Sequence, residues 1–173
     1  MSQTSVRTSY AVGIINGSPA DDGELDKVSG RNDEASASIP FGVAVKSGTT
    51  ESGCLNLTAT SNKLKGVSCY STAYAPVFEL DANGAVLPDV MFDVAVEGRL
   101  NIYPEDAVTP ASEVHVRAVA AGAEVAGAFR GTADGTDTIN VSSFCRWVSP
   151  GSSTVAAVLE FDFTGAALAV ADT

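Results

Sequence analysis

Positive charge is scarce in this chain. Its 173 residues hold 10 Lys and Arg against 21 Asp and Glu, a net charge of −11. Nucleic-acid binding rests on clustered Lys and Arg, so nucleic acid is not an expected partner. An anionic membrane surface is disfavoured for the same reason. Histidine is scarcer still. His115 stands alone, so any Ser-His-Asp or Cys-His set would have to be built on it. Cysteine stops at an odd count of three, Cys54, Cys69 and Cys145, with no C-x-x-C. That excludes a disulfide framework and gives zinc poor support. Three reduced, buried thiols are expected, with a bridge between Cys54 and Cys69 open if they lie on paired strands. No apolar run approaches the roughly 18 residues of a membrane helix. The opening Met1–Tyr10 segment lacks the basic and apolar regions of a secretory signal, so assembly in the cytosol is expected.

What is present is β-forming. Val outnumbers Leu by 21 to 9, with 14 Thr and 16 Gly beside them. Branched residues fit pleated strands better than helices. Alternating stretches run over 39–46, 54–58, 65–70, 77–80, 85–87, 113–119, 138–141, 144–148 and 154–163. Met91–Val96 and Arg99–Tyr103 flank Glu97-Gly98 and read as a hairpin. Asn83-Gly84 and Ala121-Gly122 mark two more. In the last strand Val155, Ala157, Leu159, Phe161 and Phe163 share the core face, with Glu160 and Asp162 outside. About ten short strands at 8–12-residue spacing predict an all-β, antiparallel barrel or sandwich.

Chemistry-bearing patterns are few. Glu113-Val114-His115-Val116-Arg117 alternates like a strand, which makes His115 a half-exposed residue flanked by an ion pair. No G-x-S-x-G, P-loop, H-E-x-x-H or G-x-G-x-x-G occurs, so no catalytic residue and no cofactor is assigned. Asp81-Ala82-Asn83-Gly84 and Asp134-Gly135-Thr136-Asp137 offer oxygen ligands. An EF-hand count from Asp81 fails at Ala85, Val86 and Phe92. Both are expected to be ordinary turns, and no metal is assigned. Trp147 is the one candidate stacking platform for a sugar, and a core position is the expected one of its two readings.

Residues 1–38 differ from the rest. They are rich in Ser, Asp, Gly and Asn, with apolar residues confined to small clusters. So polar a segment cannot order itself alone. Tyr10, Val12, Ile14 and Ile15 point instead to an extended arm that docks its apolar side chains on a partner. The expected organisation is an arm over 1–38 and a β domain over 39–173.

Three blocks carry a resemblance. The first is Val28-Ser29-Gly30-Arg31 through Ile39-Pro40-Phe41-Gly42-Val43. The second is Glu97-Gly98-Arg99-Leu100 through Val116-Arg117. The third is Gly127-Ala128-Phe129-Arg130, then Asp134, Asp137, Arg146-Trp147 and the closing strand. In this order they resemble the structural cement, or capsid decoration, proteins of tailed bacteriophages, where the pattern has Ser before the arginine and this chain has Gly30. The resemblance implies a non-enzymatic protein on the outer surface of the virion. It would bind the phage major capsid protein, stabilise contacts between neighbouring subunits, and associate with itself as a dimer or trimer at a symmetry axis. Tyr10, Val12, Ile14, Ile15 and Arg31 become candidate capsid contacts, and Ile39, Pro40, Phe41, Gly42, Gly98, Arg99, Phe129 and Trp147 the framework. The other functional class open to such a chain is a carbohydrate-binding or adhesin-type β-sandwich module.

Overall fold

A computed structural model describes residues 15–20, 24–70, 80–81 and 83–164. Among them there are eleven strands and no helix. They are β1 (Ser18–Pro19), β2 (Asp26–Asn32), β3 (Ala44–Ser47), β4 (Gly53–Leu55), β5 (Leu64–Cys69) and β6 (Met91–Ile102), then β7 (His115–Arg117), β8 (Phe129–Arg130), β9 (Thr138–Asn140), β10 (Cys145–Trp147) and β11 (Ala157–Asp162). The all-β expectation holds. Strands β6, β2, β4, β3 and β5 close into a barrel, because β5 returns to pair with β6. Strands β11 and β10 extend the sheet from β6, and β8, β7 and β9 form a second, separate sheet.

Strand β6 is where the chain departs from the expected hairpin. It runs unbroken through Glu97 and Gly98. Its first half pairs with β2 and β5, its second with β11 and β1. Partners on both edges keep the strand extended. Glu is also a poor residue for the positive φ that a tight two-residue turn requires. The strand bends instead. The register against β2 slips between Asp26 and Lys27, leaving Val96 as the extra residue of a bulge. Gly98 follows at φ 129°, where a Cβ would lie only 2.8 Å from Leu25 Cδ1 and 2.9 Å from the Glu24 carbonyl.

The bulge changes which side chains face inward. Phe92 and Val94 fill the barrel with Ile39, Val43, Val45, Cys54 and Val86. Ala95 faces the other way, into a larger core. Beyond the bulge the parity is exchanged, as a one-residue insertion requires. Leu100 and Ile102 now join Ala95 in that larger core, beside Val116, Phe129, Ile139, Trp147, Leu159 and Phe161. Trp147 is 1% exposed, and its indole N–H donates to the Glu113 carbonyl at 3.0 Å. It is a core residue and offers no platform to a sugar.

Other expectations shift at their edges. The run 39–46 is broken by Gly42 at φ 75°, leaving β3 to begin at Ala44. Ile39 still pairs through both its N–H and its C=O with Val86. Strand β11 starts at Ala157, so Val155 lies outside it and is 57% exposed. The Asn83-Gly84 turn forms, with Gly84 at φ 76° and the Asp81 carboxylate accepting from the Asn83 and Ala85 N–H groups. The three cysteines are free and buried. Burial raises all three thiols, Cys69 to about 11, so they are poor nucleophiles in the folded chain.

The barrel interior is narrow, and glycine makes it fit. A Cβ on Gly30 would sit 2.6 Å from Val94 Cγ2 and 2.9 Å from Cys54 Sγ, and one on Gly66 would sit 2.5 Å from the Ala95 carbonyl. We expect Gly30→Ala to lower stability by about 1–3 kcal/mol, the range for overpacking. A urea melt checks this, and an unchanged midpoint would contradict the packing account.

Candidate functional site

The chain enters the domain at Asn16 and Gly17. The Asn16 amide donates to the Phe41 carbonyl at 2.8 Å, and its Oδ1 accepts from the Tyr103 N–H at 3.0 Å. Gly17 donates its N–H to the Asn101 carbonyl and accepts from the Tyr70 N–H. Ser18 and Pro19 then pair with Asn101 and Leu100 of β6. Asn-Gly is turn chemistry, and both residues are fixed by the Ile39–Gly42 run. Gly42 brings its backbone against the Asn16 side chain, and a Cβ on Gly17 would lie 2.5 Å from the Gly42 nitrogen. The Phe41 ring meets Tyr70 edge to face at 5.3 Å, and Ser68 Oγ donates to the Pro40 carbonyl at 2.7 Å. Phe41 and Gly42, with Tyr70, Asn101 and Tyr103, therefore act as a clamp on the root of the N-terminal segment, and Ile39 and Pro40 tie that run to Val86 and Ser68.

Beside this clamp lies a groove. Ile15, Pro40, Phe41, Ala85 and Val125 supply apolar wall, and Asp81 and Asn83 supply polar rim. Ile15 is the one candidate contact of the arm that falls there. Tyr10, Val12 and Ile14 lie outside the described residues. The expected arm boundary at residue 38 meets a different picture from residue 24 on. Asp26–Asn32 forms β2 inside the main sheet, held by β6 on one side and by β4 at its end. Its residues 26–29 are exposed while the strand pairs through its backbone with β6, so composition alone gives no sign of it.

Arg31, the last candidate contact, is tied down. Its guanidinium reaches Asp33 at 2.7–2.8 Å and remains 39% exposed. That hydrogen bond holds the Asp33 carboxyl below its ordinary range, and Thr50 adds to it. Arg99 sits in a cross-strand ladder instead. Glu160 stands between Arg99 and Arg146 on three neighbouring strands, 2.6 and 2.5 Å from their guanidiniums. Burial alone would raise the Glu160 carboxyl, but the two cations outweigh it and its pKa is lowered.

The second sheet holds a buried ionic network that the sequence does not announce. Arg117 is fully buried. It donates to Glu105 at 2.8 Å and to Asp134 at 2.9 Å, and meets Glu124 at 2.8 Å. Arg130 shares Glu105 and Asp134. Asp134 is thus used by two guanidiniums within its turn. His115 is buried, not half-exposed, because β7 lies between β8 and β9. Its Nε2 is 2.8 Å from the Glu113 carboxylate, so Glu113 pairs with histidine while Arg117 finds partners on other loops. Among the described residues, no nucleophile or further acid is placed beside this pair in the way a triad requires.

Two outcomes follow for the network. Arg117→Met would remove the buried cation of the network and leave Glu105 and Asp134 to Arg130 alone, and we expect a loss of about 3 kcal/mol in a denaturant melt. A loss under about 1 kcal/mol would mean that the network is incidental. The Asp134 pKa is lowered from 3.8, chiefly by the Arg117 hydrogen bond and against the effect of burial. A depressed carboxyl contributes stability above its ordinary value and loses it as pH falls through the folded value. Thermal midpoints should therefore drop below about pH 4, and Asp134→Asn should flatten that drop.

Comparison with known proteins places this architecture. A family model described as structural cement protein (E217 gp24/Pam3 gp6) matches residues 2–164. Among solved structures, a chain of the capsid of Myoviridae phage XM1 shares the fold. The TM-score is 0.65 at 13% identity, covering 93% of this chain and 98% of that one. No curated protein matches.

Proposed function

Because the chain belongs to the structural cement family of phage capsids, we propose that it binds the outer surface of the capsid and stabilises contacts between neighbouring major capsid protein subunits. A structural, non-enzymatic role in the virion follows from the family itself. The observation that carries the finer reading is the clamp around Asn16 and Gly17. It fixes the chain at Asn16 and Gly17, just after residues 1–14. A peptide anchored at one end loses less entropy on docking than a free one. Its spaced apolar residues Tyr10, Val12 and Ile14, with Ile15 in the groove, suit an extended segment laid across a neighbouring protein. Arg31 adds a half-exposed cation on the same β2 strand that follows the arm. Self-association at a capsid symmetry axis, as a dimer or trimer, completes the reading.

The charge supports an outward-facing position. A net −11 on a decorating chain gives each particle an acidic coat that keeps particles apart in solution.

The test is a truncation that spares the clamp. Removing residues 2–14 leaves Asn16, Gly17 and β1 in place. The truncated protein should keep its melting curve and fail to cosediment with capsid shells at concentrations that saturate the full chain. Full occupancy by the truncated protein would refute the docking role of the arm.

A further inference from the structure

The first half of β2 pairs with β6 on one side, and on the other side no strand among the described residues is paired with Ser29. Residues 26–29 are all exposed, although Gly30 and Asn32 of the same strand are buried. The pairing with β6 fixes where the backbone groups point. The Asn32 N–H donates to the Val90 carbonyl on the β6 side at 3.0 Å. In an antiparallel ladder every second residue does so, so Gly30 and Val28 face β6 while Arg31 and Ser29 face away. Arg31 follows that rule, donating to the Ser52 carbonyl at 2.8 Å. Along β2, strand β4 pairs only with Arg31 and Asn32 and stops short of Ser29. The Ser29 N–H and C=O therefore have no partner among the described residues. Val28 beside them is 40% exposed.

Charge marks one end of this edge. Asp26, Glu97 and Asp162 stand directly opposite one another on β2, β6 and β11. Like charges in cross-strand register are unfavourable. Glu24 is exposed beside them, and it lines one groove with Glu97 and Asp162, where the cations Arg99 and Arg146 are both engaged by Glu160. An extended chain lying along Ser29 would pass the Asp26 end of that row. A second copy of this acidic chain would bring more carboxylates to it, whereas a segment carrying Lys or Arg would offset Asp26 and Glu97.

We propose that the Asp26–Ser29 edge takes up an extended segment of the major capsid protein, bonded to the Ser29 backbone and bearing Lys or Arg where it passes Asp26 and Glu97. This rests on the capsid-binding role above. It adds a second point of attachment, on the domain and not on the arm.

Ser29→Pro in the full chain tests it. Proline removes the outward N–H and spares the ladder to β6, a position edge strands tolerate. We expect an unchanged melting curve and at least a tenfold weaker affinity for capsid shells in cosedimentation, about the loss for one hydrogen bond and its obstructed neighbours. Asp26→Asn with Glu97→Gln should flatten the salt dependence of binding. Hydrogen exchange on the wild-type chain gives a readout that no mutation can spoil, since the Ser29 amide should slow on binding shells. A folded Ser29→Pro chain that decorates with wild-type affinity would overturn the proposal. So would a Ser29 amide that exchanges at one rate, free and bound. Binding without that protection sinks the edge alone, whereas a wild-type chain that ignores shells sinks the capsid reading and the edge with it. A wild-type dimer in light scattering that Ser29→Pro dissolves, with shell occupancy unchanged, would assign the edge to a second copy and overturn the capsid segment.

Discussion

One strand serving two sheets is the constraint from which the rest of the structure follows. β6 closes the barrel with its first half and carries β11 and β10 with its second. The two halves need opposite side-chain parity, because the barrel interior and the larger core lie on opposite faces of the sheet. The extra residue at Val96 supplies the change, and Gly98 lets β6 approach Glu24 and Leu25 while it happens. A side chain at position 98 would push β6 away from the residues that lead into β2. The barrel has little room to compensate. Its interior is small enough that Gly30 and Gly66 must lack side chains, so most apolar burial sits outside it, between the barrel wall and the second sheet.

The scarcity of cations acquires a structural meaning in this frame. Every arginine among the described residues is paired with a carboxylate. Arg117 and Arg130 hold the loops around Glu105, Glu124 and Asp134 against the second sheet, and Arg99 and Arg146 brace three strands through Glu160. The cations are spent on the fold, and the surplus of acid is left at the surface. Exposed pairs of this kind contribute little each. The buried guanidinium of Arg117 differs, because it sits fully buried among three carboxylates and its removal leaves Arg130 alone to offset Glu105 and Asp134.

Legibility divides along the same line. Where one face of a strand is buried, the period of two is plain. Alternation alone assigns Leu159, Phe161 and Phe163 to the core, and the core placement of Trp147 is the expected side of its two readings. Where the parity switches, alternation misleads. Phe92, Val94 and Val96 on one side of Glu97-Gly98, and Leu100 and Ile102 on the other, look like two strands joined by a turn. A bulge and a hairpin leave the same mark in such a pattern, and only the partners on both edges separate them. Strand β2 is hidden for another reason. Its side chains face solvent over residues 26–29, so it lacks the apolar signal by which a strand is recognised, and its membership of the sheet rests on backbone bonds. Asn16 escapes notice because one amide side chain between two apolar residues and a glycine has no signature until Phe41 and Tyr103 are brought to it.

The clamp at Asn16 and the edge at Ser29 are tied to the same strand. Asn16 and Gly17 bond to Asn101 and Tyr103, near the end of β6, and Ser29 stands opposite Asp93. Eight to ten residues separate those points, at most roughly 30 Å at about 3.3 Å per residue and less across the bend at Val96 and Gly98. The two attachments proposed above, made through one strand, would not act independently. Once the first is made, the second forms at an effective concentration set by the fixed spacing, and avidity exceeds either contact alone only when the partner presents its sites at that spacing. An assembled capsid lattice holds its surfaces at fixed distances, and a free subunit does not. A weak arm and a weak edge, joined through β6, would therefore discriminate assembled shells from unassembled protein without either contact being strong.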